Sequence, residues 1–294
     1  MDTYIQIKIY TTSQIKADNA FTEVEEIYKK YHQLTDRFST DGGVYYINNN
    51  TSTEPIITID PILYNIIEHG INWYHKSNGL LNINIGNVVD VWKKYRDQKS
   101  GLPSINELKD SGDIDINNII LLGNNQIKNN HPNIDLGAIA KGYTTGVVGN
   151  YLEQNGIDKY IINAGGNVLV GNHYNNDLYK IGIESPIESG DIYQVVKGNN
   201  ISVVTSGSYE RYYEYDGKLY HHIINPHTLM PSEYMKSVTV ITEDSGLADT
   251  LSTILFLMPI EEGKEFIKEL DNVEAIWFSN DGEIIKSEGF SKYE

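Results

Sequence analysis

Apolar positions along the chain repeat at two periods, and the switches between them outline its elements. Residues 3–10, Thr-Tyr-Ile-Gln-Ile-Lys-Ile-Tyr, alternate apolar and polar and predict a half-buried strand. Phe21, Val24, Ile27, Tyr28, Tyr31 and Leu34 fall at helical spacing and predict an amphipathic helix over 17–35. Residues 59–76 read as a second helix, entered through Asp60-Pro61 with proline in the favourable first turn. Alternation over 82–85 is strand-like until Gly86 breaks it, and the apolar run to Trp92 continues as loop or helix. Residues 93–112 are charged and polar, with Gly101 and Pro103, and read as a surface excursion.

Short Val- and Ile-rich runs at 116–122, 160–163, 167–170, 178–183 and 201–204 are bounded by Gly, Asn or Asp, as strands are. Residues 236–243 add another strand. Helices are predicted over 144–153, 245–257 and 261–270, and a terminal hairpin over 273–286 turns at Asn280-Asp281-Gly282. Strands and helices intersperse without a regular βαβ repeat, which predicts an α+β fold, read as one domain over 1–294. Neither a Rossmann glycine spacing nor a Walker loop is present.

Charge narrows the chemistry. The 294 residues carry 23 basic and 40 acidic side chains, a net charge of -17. Bulk electrostatics therefore oppose nucleic-acid binding, and an anionic substrate needs local help from a metal ion, a few cations or helix N-termini. The chain has no Cys, which excludes disulfides, thiolate catalysis and Cys-based zinc sites. No run approaches the roughly 18 apolar residues of a membrane span.

Five segments are polar or glycine-rich where an element should be packing. The first, Asp135-Leu136-Gly137-Ala138-Ile139-Ala140-Lys141-Gly142-Tyr143, places small residues around one lysine at a helix entrance. That suits either an anion site or a tight turn with Asp135 as a cap and a solvated Lys141. Gly165-Gly166 follows a strand and admits either a ligand or an ordinary turn. Thr205-Ser206-Gly207 sets hydroxyls beside a glycine, to bind a polar ligand or to lead a loop into a Tyr-rich strand. His221-His222-Ile223-Ile224-Asn225-Pro226-His227 gathers three histidines within seven residues. They read as a general base, a zinc site of non-standard spacing, or exposed imidazoles on a turn. Asp249 and Thr253 lie four apart on a helix and share a face. They read either as Mg²⁺ ligands or as a capped and solvated first turn.

Taken together and in this order, the segments resemble the ApbE family, the FAD:protein FMN transferases. The resemblance runs from Met1 to the helix holding Thr253. It implies a single-domain, T-fold-like α+β architecture of mixed sheets with packed helices. It also implies an enzyme that takes FAD and Mg²⁺, splits the pyrophosphate and attaches FMN through a phosphoester to Thr or Ser of an acceptor flavoprotein, releasing AMP. Met1 matches the Met of the family's Met-Gly-Thr start, with Asp2 in place of Gly, and Phe38-Ser39 an aromatic-Ser pair at FAD. Gly86 and Trp92 match a segment contacting the adenosine half, from which Asn82, Asn84, Asn87, Lys93 and Lys94 depart.

The resemblance also makes Asp135, Lys141, Gly165, Gly166, Ser206 and Gly207 cofactor-binding, with His222 and Ile223 from a His-Ile-x-Asn-Pro motif. The glycine expected after Thr228 is Leu229. Asp249, Thr253 and the Ala138 carbonyl become the metal ligands, and His222 the candidate base with Asp249 as rival. A Ser/Thr-Gly-Ala-Thr-type site is the expected acceptor. An FAD pyrophosphatase releasing FMN and AMP, and a non-enzymatic FAD-binding protein, are the competing functions. Many family members are exported lipoproteins, so an extracytoplasmic location with a removed leader is expected, with cytoplasmic as the alternative.

Overall fold

The computed structural model describes residues 3–50, 55–188 and 190–294. Along the chain run β1 (Ile5–Ile9), α1 (Gln14–Thr35), α2 (Gly43–Asn48), β2 (Ile56–Thr58), α3 (Pro61–Lys76), α4 (Gly86–Gln98) and α5 (Ile105–Asp110). Next come β3 (Ile119–Gly123), β4 (Gln126–Asn129), α6 (Ala140–Gln154), β5 (Tyr160–Ala164), β6 (Asn167–Val170), β7 (Tyr179–Glu184), β8 (Ile192–Gly198) and β9 (Ile201–Gly207). Then follow β10 (Tyr212–Tyr215), β11 (Lys218–His221), β12 (Ile224–Asn225), β13 (Met230–Pro231) and β14 (Met235–Thr242). The chain closes with α7 (Ser245–Phe256), α8 (Ile260–Lys268), β15 (Glu274–Ser279) and β16 (Ile284–Lys286). The α+β expectation holds.

Two compact units emerge. One comprises Lys30–Ala140 and Ser208–Ser232; the other takes in the chain up to Lys29, Lys141–Gly207 and Glu233–Glu294. The second unit is built on a seven-stranded sheet ordered β1-β5-β6-β9-β14-β15-β16, with antiparallel ladders throughout. Helix α7 lies against β9 and β14. A second apolar layer unites Val170, Val203, Ile241 and Ile276 of the sheet with Tyr179, Ile183 and Val196 of the β7–β8 hairpin and with Phe290. Strand β14 is therefore covered on both faces, and its run Val238–Ile241 is buried throughout. In the first unit a three-stranded sheet β2-β4-β3 accompanies α2 to α5, and Ile85, Val88, Trp92, Leu108, Tyr213, Tyr220 and Ile224 form a core.

Helices α6 and α7 meet through glycine. A Cβ on Gly142 would lie 2.3 Å from both the Asp249 Cβ and the Ser245 carbonyl oxygen, and one on Gly246 would lie 3.4 Å from the Tyr143 Cα. Only hydrogen fits at Gly142, so the two backbones approach within side-chain distance there.

Three segments depart from the periodicity. Residues 82–85 are a turn, because Asn82 Oδ1 takes the Asn84 N–H at 2.8 Å and bends the chain before a ladder can form. Residues 93–112 are largely helical, as the end of α4 and as α5, whose Ser104 cap accepts the Glu107 N–H. Their exposed polar faces hid two buried residues, Pro103 and Leu108. Within 36–50, α2 forms around Val44 and Ile47, both fully buried.

Two substitutions test this packing. Trp277→Ala in β15, where the indole is fully buried, is expected to cost about 3–5 kcal/mol of stability in urea denaturation. A loss near zero would remove β15 from the core. Gly142→Ala is expected to cost about 1–3 kcal/mol through overpacking, and an unchanged midpoint would contradict the close helix crossing.

Candidate active site

The second unit gathers the residues most charged with chemistry. Asp249, on α7, is buried with 4% of its side chain exposed, and Lys141, in the first turn of α6, with 29%. Lys141 Nζ lies 3.1 Å from Asp249 Oδ1, and the Gly142 N–H donates to Oδ2 at 2.7 Å. A carboxylate thus faces the positive end of a helix, holding one of its unpaired N–H groups and its one lysine. Asp249 is not a cap of its own helix: Asp244 is, accepting the Leu247 N–H at 3.0 Å. Thr253 follows one turn later on α7, half-buried. Among the described residues no three His, Asp or Glu side chains converge on a metal position. The Asp249–Thr253 pair is a sparse, hard-oxygen donor set of the kind Mg²⁺ accepts, since that ion fills its remaining positions with phosphate and water oxygen.

Around this pair the sheet supplies a polar end. Gly165 and Gly166 are the two central residues of the β5–β6 hairpin, with φ of 60° and 84°. Such a tight turn requires glycine-friendly dihedrals at both positions, so the turn reading accounts for the pair. Ser206 and Gly207 end β9 rather than a loop, and the Ser206 and Ser252 hydroxyls are 2.9 Å apart. Ser252 in turn donates to the Asp249 carbonyl at 2.9 Å, which ties the strand end to the helix that carries Asp249.

In the first unit, Asp135 does not cap α6, which starts five residues later. Its Oδ1 accepts the Gly137 N–H at 2.8 Å and its Oδ2 accepts from Arg37 at 2.8 Å. Ala138 sits in the following turn, before α6. Phe38 is 65% exposed, and its N–H and that of Ser39 both donate to Asp36 Oδ1. Burial opposes ionisation of Asp36, but those two N–H groups prevail and hold its carboxyl below the usual range. The Ser39 hydroxyl is engaged by Asp41. Met1 lies outside the described residues.

Trp92 is buried, donates to the Leu229 carbonyl at 2.8 Å and stacks on Tyr220 at 5.9 Å between ring centroids. It therefore braces the turn that follows the His-Ile motif. Leu229 takes φ of 60°, so the left-handed geometry is kept where glycine was expected, at the cost of backbone strain. The three histidines part company. His221 is buried; its Nδ1 accepts the Ile223 N–H at 3.2 Å, so Nε2 carries the proton to the Ser232 carbonyl at 2.6 Å. His222 is half-buried in the bend between β11 and β12, Ile223 is buried beside it, and His227 is exposed.

Sequence reasoning missed the polar frame beneath Asp135. Asn84 Oδ1 accepts the Asn133 N–H at 2.7 Å, and Asn48 pairs with both the N–H and the carbonyl of Ile134 at 2.8 and 3.0 Å. Asn82, Asn84 and Asn87, three of the five departures from the resembled segment, all serve this frame or its turn. The unusual clustering of asparagines before Gly86 was the available signal.

A family model described as the ApbE family matches residues 1–277. The FAD:protein FMN transferase of Klebsiella pneumoniae (strain 342) is 29% identical over 296 residues, covering 98% of this chain and 89% of the relative. That of Treponema pallidum (strain Nichols) is 27% identical, covering 98% and 84%. In fold, the chain is similar to the flavin transferase ApbE from Vibrio cholerae, with a TM-score of 0.86 at 23% identity over 100% of this chain and 96% of that one. It is equally similar to the ApbE protein from Thermotoga maritima, with a TM-score of 0.86 at 25% identity over 100% and 99%. The chain belongs to the ApbE family.

Proposed function

We propose that this chain is an FAD:protein FMN transferase that uses Mg²⁺, and that Asp249, Thr253 and Lys141 form the diphosphate end of its site. The observation that carries this reading is the buried Asp249 carboxylate, held by Lys141 and the Gly142 N–H at the start of α6. A protein of net charge -17 has to concentrate positive potential locally to hold a dinucleotide, and a helix N-terminus bearing a lysine does so. Asp249 and Thr253 are the residues to hold Mg²⁺, with the Ala138 carbonyl as the carried-over third ligand. When bound, the ion neutralises charge on the phosphate oxygens.

The chain's own residues then position the reactants. Lys141 orients the phosphates. The resemblance gives His222, with Asp249 as its rival, the role of accepting the proton of a Ser or Thr hydroxyl on the acceptor, whose oxygen bonds to the phosphorus of the FMN half as the pyrophosphate P–O bond breaks and AMP leaves. The acceptor is a flavoprotein segment of the Ser/Thr-Gly-Ala-Thr type. Among the described residues no helix is long and apolar enough to cross a membrane. An extracytoplasmic place of action is the companion proposal, for which the lack of any cysteine is the compatible feature, and cell fractionation is its test.

Mass spectrometry of an acceptor peptide incubated with enzyme, FAD and Mg²⁺ is expected to show the mass of one FMN together with AMP in equal amount. AMP without modified peptide would indicate a pyrophosphatase, and neither product would leave a binding protein. Chelation with EDTA is expected to abolish transfer and added Mg²⁺ to restore it; transfer that persists in EDTA would remove the metal from the proposal. Asp249→Ala is expected to lower transfer at least about a hundredfold in protein that still melts cooperatively. Wild-type rates in that variant would overturn the assignment.

A further inference from the structure

The guanidinium of Arg37, which no motif singled out, is the centre of the first unit's polar frame. Its side chain is 7% exposed. Nη1 donates to Asp135 Oδ2 at 2.8 Å, and Nη2 donates to Asp90 Oδ2 at 2.7 Å and to Asn133 Oδ1 at 2.6 Å. Nε is buried with no hydrogen-bond partner among the described residues. Three stretches distant in sequence, the α1–α2 loop, helix α4 and the segment before α6, are thus fastened to one planar cation.

The surroundings are shaped for that cation. A Cβ on Gly86 would lie 2.7 Å from Arg37 Nη2, and 2.3 and 2.6 Å from the side-chain and backbone oxygens of Asn133. Glycine at 86 is what leaves room for the fork and for Asn133. The Gly86 N–H then donates to the Asn133 carbonyl at 2.9 Å, and the Asp135 N–H to the Ile83 carbonyl at 2.8 Å. Burial pushes the Asp90 carboxyl up, Arg37 pulls it down, and the nearby Asp135 charge pushes it up again. Two carboxylates therefore compete for one guanidinium, and the fork geometry decides where each oxygen points.

We infer that Arg37 is a positioning residue for FAD binding: it fixes the Asp135 carboxylate, and the adjoining Phe38, in the orientation that meets the dinucleotide. This rests on the reading above in which Asp135 and Phe38 contact FAD. A lysine at this position retains the charge but loses the fork, so it cannot hold Asp135, Asp90 and Asn133 at once. Arg37 acts through Asp135, and the two substitutions should not add.

The test is a double-mutant cycle on the FAD dissociation constant, followed by flavin fluorescence, with wild type, Arg37→Gln, Asp135→Asn and the double variant. Thermal melts of each variant confirm folding. Each single variant is expected to weaken FAD binding at least about tenfold, and the double variant to be no weaker than the weaker single one. Should Arg37→Gln be insoluble, because it strands two carboxylates, Arg37→Lys carries the same cycle. Multiplicative losses in the double variant would show that Arg37 acts independently of Asp135 and overturn the inference. If Asp135→Asn binds FAD as wild type does, the inference falls together with the Asp135 contact, while transfer to the acceptor peptide still stands or falls on its own assay.

Discussion

One carboxylate at one helix N-terminus sets the terms for the second unit. Asp249 faces the start of α6, takes the Gly142 N–H and draws Lys141 to its other oxygen. Burying a charge is costly without compensation, and here compensation comes from a backbone donor, an ammonium group and the favourable end of a helix dipole. The interaction dictates Gly142, since any side chain there would strike Asp249 and Ser245. It also fixes the crossing of α6 and α7, and it leaves Thr253 half-buried one turn further along α7. A structural ion pair and the proposed Mg²⁺ donor set are in this sense the same arrangement.

The first unit solves a different problem with amides. Its segment 133–135 has no regular secondary structure, so its backbone groups need side-chain partners. Asn48 and Asn84 supply them, Arg37 holds the Asn133 and Asp135 side chains, and Gly86 leaves the space. Trp92 plays a matching part below the turn at Leu229 by capping its carbonyl from a packed core position. In both units the residues expected to meet ligand are held by neighbours whose own positions are fixed by burial.

Much of this was legible in the sequence, and the failures have physical causes. Elements with a strong period and buried on one face, such as α1, α3 and β5, were read from their apolar spacing because packing follows that spacing directly. The turn at Asn82–Ile85 was misread because asparagine side chains can replace backbone partners, which no alternation reveals. Helices α2 and α5 were missed because each is six residues long with one or two buried anchors. Within the candidate site, Asp249 and Lys141 are brought together as their motifs implied. The Gly165-Gly166 pair turned out to serve a hairpin, and His221 a structural bond. Arg37 stayed hidden because its partners are 53, 96 and 98 residues away in sequence.

Asp249 is where the packing of α6 on α7 meets the proposed divalent-ion site. The most direct measurement is calorimetric titration of Mg²⁺ into FAD-loaded wild-type protein and into Asp249→Asn, which is nearly isosteric but uncharged. A binding isotherm in the wild type, weakened at least about tenfold in the variant, is the predicted result, a difference of about 1.4 kcal/mol or more. Equal Mg²⁺ affinity in the two proteins would contradict it and leave Asp249 as a packing residue alone.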